Sequence, residues 1–157
     1  MARPEIRPFW FDGQGNRQGA ELSNSWEAYN VLKPLLAEED DVEKVYVIFL
    51  DSQNRILKIE KVFSGSLTAA TIYPRELIKR LLQHKASAFL MAHNHPSGDT
   101  NPSAEDRSIT LKLGIAAASI DVAFHDHIII GDGYYSMADA GRLQQISSEL
   151  SKLLSAA

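Results

Sequence analysis

The stretch SAFLMAHNHPSGDTNPSAED, residues 87–106, constrains this chain more than any other segment. Residues 87–95 are an apolar run that closes on two histidines, and the run reads as a strand buried on both faces. Side chains two apart on a strand share a face, so His93 and His95 stand side by side at its C-terminal end. Residues 96–102 are turn chemistry throughout, built from proline, glycine, serine, aspartate and asparagine. Ser103 then opens a helix reaching to Ser119, which places Asp106 in the first turn. A buried strand end, a tight reversal and a helix start must therefore meet, with two imidazoles and a carboxylate at the junction.

The flanking segments supply the layers around that junction. Residues 43–50 (EKVYVIFL) form a strand rich in β-branched and aromatic residues. Asp51-Ser52-Gln53-Asn54 turns the chain, and the alternating residues 55–63 return as the second strand of a hairpin, broken at Gly65. A helix over 25–32 starts near Asn24 and is expected to end at Pro34 or at the acidic run Glu38–Asp41. Pro74 begins a helix over 74–84 with Leu77, Ile78, Leu81 and Leu82 on one face. Residues 121–130 form a further strand, followed by a turn at Gly131-Asp132-Gly133 and by Tyr134-Tyr135-Ser136. A last helix spans 138–154, interrupted near Gly141. The expected fold class is α/β, or α+β layered: a mixed, partly antiparallel sheet flanked by helices. Residues 1–24 read as an N-terminal arm or hairpin, with a turn at Asp12-Gly13-Gln14-Gly15, and 25–157 as the functional domain.

Bulk properties narrow the chemistry. A length of 157 residues suits one domain. The net charge of −4 argues against a phosphate backbone as the main partner. With no cysteine, thiolate metal sites and disulfides are excluded, and the cytoplasm is the expected location. No segment approaches the roughly 20 apolar residues that span a bilayer, and the N-terminus is too short and polar for a signal peptide.

Two imidazoles and one carboxylate leave a fourth tetrahedral position open, the arrangement of a catalytic zinc site rather than a structural one. Such a site acidifies bound water but still needs a proton acceptor. Glu43 is the candidate base, because alternation sets it on one face with Val45, Val47 and Phe49, where an unpaired carboxylate would be costly.

The spacing His93-x-His95, then Ser103-x-x-Asp106, with an upstream strand glutamate, is similar to the JAMM metalloprotease motif. The surrounding strings IFLDSQNRIL, FSGSLT, YPREL, HNHPSGDTNPS and DHIIIGDG resemble the JAMM domain of the RadC family, over roughly residues 25 to 141. The resemblance implies a JAB/MPN architecture of the cytidine-deaminase-like kind. It implies zinc on His93, His95 and Asp106, Glu43 as general base, and Ser103 as a hydrogen-bond donor to the tetrahedral intermediate. It also implies hydrolysis of an amide, peptide or isopeptide bond in a protein, peptide or small amide substrate. Full-length relatives carry an N-terminal helix–hairpin–helix region associated with DNA contact; no such stretch is read before residue 25, so a short form is expected.

Other readings compete. Ser103-x-x-Asp106 is also a capping box. A metal-dependent nuclease or DNA-repair role, and a non-catalytic scaffold of the same fold, are the alternatives to hydrolysis. The contiguous string His93-Asn94-His95 is a coincidence with the name of the HNH nucleases. Zinc deaminases need a cysteine pair that is absent, and the helices fit poorly with the all-β barrels of Fe(II) oxygenases. His127, beside Asp126, is a candidate for orienting the site or a hydrogen-bonded core residue. His125 alternates onto the face of His127 and is a candidate extra metal contact. His84 suits a helix C-terminus, and Asp99 is a turn residue. Phe9, Trp10 and Phe11 read as a packing staple or a subunit contact, which would fit an oligomer.

Overall fold

The computed structural model describes residues 10–11, 17–36, 41–68 and 70–156. Within these, five strands form one mixed sheet. In chain order they are β3 (Lys44–Leu50), β4 (Ile56–Ser64), β5 (Ala88–Asn94), β6 (Ala123–Gly131) and β7 (Gly133–Ser136). Their spatial order is β4-β3-β5-β6-β7. Only β5 and β6 run parallel; every other neighbouring pair is antiparallel. The mixed α/β reading of the sequence is thus met. A separate short pair, β1 (Trp10–Phe11) and β2 (Arg17–Gln18), forms antiparallel N-terminal strands. Phe9 and the predicted turn at residues 12–15 lie outside the described residues.

Four helices pack on the sheet: α1 (Ser25–Leu36), α2 (Pro74–Gln83), α3 (Ala104–Ala118) and α4 (Arg142–Ser155). Every residue of β5 is buried, because the strand is covered on both faces. Ala88, Leu90 and Ala92 point into the core shared with α1. Phe89 and Met91 point the other way, into the core shared with α2 and α3. His93 continues the second set by alternation, so the fold places it on the α3 side of the sheet. The α3 crossover joins the two parallel strands, and its N-terminus lies at the C-terminal ends of β5 and β6. Open sheets of this kind bind ligands there.

Two local expectations are corrected and one is decided between its alternatives. Of the two stops expected for α1, Pro34 is not the one: the helix continues to Leu36, two residues short of the acidic run. The apolar face formed by Ala28, Val31 and Leu32 runs on to the buried Leu36, and that burial outweighs the one hydrogen bond a proline cannot donate. Leu82 is not part of the packed face of α2: it is 64% exposed, whereas Leu77 and Leu81 are buried. The last helix begins at Arg142 rather than 138, since Gly141 adopts φ 77° and breaks the helical path ahead of it. No helix among the described residues is long and apolar enough to cross a membrane.

Backbone hydrogen bonds shape the loop after β5 and fasten it to the end of β6 and the β6–β7 turn. His95 N donates to Ile130 O at 2.8 Å, Gly98 N to His95 O at 2.9 Å, and Asp132 N to Gly98 O at 2.8 Å. The two chains approach so closely that a Cβ on Gly131 would stand 2.5 Å from Gly98 O and 2.8 Å from Gly98 C. Gly131→Ala should therefore push the loop away and destabilise the fold by about 1–3 kcal/mol, the range for overpacked sites. Urea unfolding checks this, and an unchanged midpoint would contradict the close approach.

Candidate metal centre

His93, His95 and Asp106 meet at the mouth between β5 and α3. The ligand atoms they offer all lie within 4.8 Å of one another. His93 Nε2 is 3.0 Å from His95 Nε2 and 3.0 Å from Asp106 Oδ1, and His95 Nε2 is 3.0 Å from Asp106 Oδ2. His93 is fully buried, Asp106 nearly so, and His95 is partly open to solvent. Two imidazole nitrogens and a carboxylate converging on one point are a donor set that could hold a divalent metal ion.

Local structure explains the convergence. His93 is the last residue of β5 whose partner on β3 is fixed by pairing, opposite Val45. His95 lies just past the strand and keeps the same facing. Its Nδ1 is 2.6 Å from Asp99 O. A carbonyl only accepts, so Nδ1 carries the proton and Nε2 turns its lone pair toward Asp106. That is the tautomer a metal ligand needs, and it is the observation on which the donor set fits a metal.

Asp106 is set by its cap. Ser103 Oγ accepts from Asp106 N at 3.0 Å, while Asp106 Oδ2 accepts from Ser103 N at 2.8 Å, a complete capping box. Cap and ligand readings of Asp106 compete for its oxygens in the sequence. In the structure the two readings do not exclude each other, since Oδ2 holds the cap while both oxygens face the histidines. Burial works to raise the Asp106 carboxyl, but its close contacts with His93 and the Ser103 hydrogen bonds outweigh it and hold the group below the usual carboxylate range. The Ser103 hydroxyl accepts in this cap, and among the described residues it donates to no protein acceptor.

Glu43 stands one residue ahead of β3, half-buried. The last β3–β5 pair is Val45 with His93, two residues after Glu43 and two before His95. Among the described residues it makes no hydrogen bond to the three clustered side chains. Its Oε2 accepts from Leu67 N at 2.8 Å, and its backbone oxygen accepts from Gly65 N at 2.9 Å. It borders an open cleft lined by Val42, Gly65, Ser66, Leu67 and Pro96. Pro96 follows His95 directly, so the cleft reaches the ligand loop.

The other candidates separate clearly. His127 is fully buried behind His93, its Nε2 2.8 Å from His93 Nδ1. Burial pushes its imidazole well below the ordinary histidine range, with the neighbouring His93 acting in the same direction, so it is neutral. His125 does not share its face. The β5–β6 register slips between Phe89 and Leu90, pairing them with Phe124 and Asp126 and leaving His125 as an unpaired extra residue. The bulge turns it outward, where its Nε2 meets Asn54 Oδ1 at 2.7 Å, away from the cluster. His84 pairs with the Glu60 carboxylate on β4. The Asp99 side chain is a turn residue, accepting from Asn101 N at 3.0 Å, while its backbone oxygen serves His95.

Two residues that sequence reasoning passed over have roles here. Asn94, on the opposite face from the histidines, is buried. Its Oδ1 accepts from Lys44 N at 2.7 Å and its Nδ2 donates to Val42 O at 3.1 Å. The side-chain amide thus pins the backbone on both sides of Glu43 where strand pairing has stopped. Thr110 lies one helical turn after Asp106 and touches His127, with its Oγ1 2.6 Å from His127 Nδ1. Its spacing of four from Asp106 on one helix face was the available signal.

The sequence of this chain matches the family model of the RadC-like JAB domain over residues 22–142. A UPF0758 protein of Vibrio parahaemolyticus is 52% identical over 117 residues, covering 74% of this chain and 52% of that protein. A UPF0758 protein of Vibrio atlanticus is 49% identical over 100 residues, covering 63% and 45%. One of Actinobacillus pleuropneumoniae is 45% identical over 114 residues, covering 68% and 52%. The chain spans about half the length of the curated relatives it matches.

The Asn94 clamp carries its own test. Asn94→Leu keeps the volume but leaves the buried Lys44 N–H without its Asn94 acceptor, at about 1–3 kcal/mol for a buried group left unpaired, and releases the Val42 carbonyl. Urea unfolding should show that loss while divalent metal binding persists, because the side chain faces away from the histidines. Wild-type stability in the variant would contradict the clamp.

Proposed function

The chain belongs to the RadC-like JAB domain family, and from that premise we propose that it is a zinc-dependent hydrolase of amide, peptide or isopeptide bonds. The observation that carries the reading is the convergence of His93 Nε2, His95 Nε2 and the Asp106 carboxylate, with the His95 tautomer already set for coordination by Asp99 O. These three residues would hold the ion. Three protein ligands of the His₂-carboxylate type, with no thiolate, match catalytic rather than structural zinc sites. A bound zinc ion would polarise a carbonyl and acidify water at neutral pH.

The chain's own residues supply the remaining chemistry. Glu43, one residue ahead of β3 and bordering the open cleft, takes the proton of the attacking water and returns it to the departing amine. Leu67 N–H holds one carboxylate oxygen of Glu43, so the group is oriented before substrate arrives. The Ser103 hydroxyl, capping α3 through its lone pair, has its proton left to donate to the carbonyl oxygen as negative charge develops there. The cleft along Val42, Gly65, Leu67 and Pro96 is where the substrate chain would lie. In this mechanism no acyl-enzyme forms. The acidic net charge of −4 favours an amide over a nucleic-acid substrate.

A panel of peptide, isopeptide and small amide substrates tests the proposal, run on zinc-loaded wild type and Glu43→Gln. The wild type should hydrolyse at least one class. The variant should keep its metal and lose about 10²–10⁴-fold in rate, the usual worth of a general base. Undiminished turnover in Glu43→Gln would refute the assigned mechanism.

A further inference from the structure

Behind the metal ligands runs a closed line of hydrogen-bonding groups that the proposed hydrolysis does not use. It begins at the backbone oxygen of Asp106 and passes through Thr110 and His127 to His93. Thr110 Oγ1 is 2.7 Å from Asp106 O and 2.6 Å from His127 Nδ1. His127 Nε2 is 2.8 Å from His93 Nδ1. Thr110, His127 and His93 are all fully buried, so water does not complete any of these bonds.

The proton count along this line has two solutions. Thr110 owns one hydroxyl proton, and each neutral imidazole owns one N–H. If Thr110 donates to His127 Nδ1, then His127 donates from Nε2 to His93 Nδ1. His93 is left with its proton on Nε2, facing Asp106, where it blocks coordination. If Thr110 instead donates to Asp106 O, its lone pair accepts from His127 Nδ1–H. The bare His127 Nε2 then accepts from His93 Nδ1–H, and His93 Nε2 is free. Both arrangements contain the same three protons, so the line changes setting without net charge entering or leaving the core. Among the described residues, the other acceptor the hydroxyl meets is Met137 Sδ at 3.3 Å, a weak one.

We infer that Thr110 and His127 are positioning residues that hold His93 in the Nδ1–H tautomer and so present its Nε2 to the metal. The inference rests on the metal-centre reading above and deepens it. His95 receives the same service from a backbone carbonyl, which cannot reverse. His93 depends on a side-chain relay, which can. The Asp106 residue whose carboxylate ligates also supplies, through its backbone oxygen, the acceptor that sets the relay, so α3 controls two of the three ligands at once.

Zinc affinity, measured by chelator competition on the full chain, tests this with Thr110→Val and Thr110→Ser. The valine keeps the shape and removes the hydroxyl; it should weaken zinc binding by about 10–100-fold, the usual cost of losing such a supporting partner. The serine keeps the hydroxyl and should restore the affinity. A structural role alone would not separate two variants of equal thermal stability in this way. A second readout uses only wild type: long-range ¹H–¹⁵N spectra of the zinc-loaded protein should place the protons of His93 and His127 on Nδ1. Zinc binding by Thr110→Val equal to wild type, or a proton on Nε2 of His127 in the loaded protein, would overturn the relay while leaving the metal centre standing. Wild type that takes up no zinc would overturn both.

Discussion

The contact of His93, His95 and Asp106 at 3.0 Å governs this end of the molecule. Two imidazoles and a carboxylate withdrawn from water are costly unless each has partners. Nearly every irregular feature nearby supplies one. The capping box gives the Asp106 carboxylate the Ser103 N–H, and the Asp106 N–H the Ser103 hydroxyl oxygen. The turn at residues 96–99 delivers the Asp99 carbonyl to His95. His127 stands behind His93, and Thr110 behind His127. The glycine-to-glycine approach of residues 98 and 131 keeps the turn against the sheet so that these distances persist. A cluster supported this thoroughly on its outer side, while its own donor atoms crowd one another, is a group that could hold a metal ion.

The topology explains why the cluster forms where it does. The one parallel pair of the sheet, β5 and β6, is joined by α3, so the strand that ends in His93 and the helix that begins with Asp106 are forced together. Antiparallel β3 on the other side brings the segment around Glu43 to the same end, and Asn94 extends the grip between β3 and β5 past their last paired residues. His93 and Asp106 thus sit on a strand and a helix, His95 just past the strand end, while Glu43 is held by side-chain and loop contacts beside an open cleft. That division suits the proposed site, in which a metal would be held firmly and the proton acceptor would meet substrate.

Much of this was legible from residue order because it follows from short-range rules. The two-residue alternation along 87–95 put both histidines on one face, and Ser103-x-x-Asp106 announced a helix start that returns a carboxylate toward them. The features that were not legible depend on distant partners. A bulge opposite Phe89 and Leu90 reverses the facing of His125, and nothing in the string AFHDH marks it. The second contact of His95 is a backbone oxygen, which any residue at position 99 would offer. Asn94 looked incidental between two histidines because its partners lie about fifty positions earlier in the chain. Which of its two expected stops ends α1, and whether Leu82 packs, are both decided by burial against the core, and burial is a tertiary quantity.

Metal content by plasma mass spectrometry, on wild type and on His95→Ala purified under zinc-replete, chelator-free conditions, tests the central claim most directly. The account predicts about one zinc per wild-type chain, as a three-ligand centre requires, and its loss in the variant. Wild type carrying no divalent metal, or a variant carrying as much zinc as wild type, would contradict it.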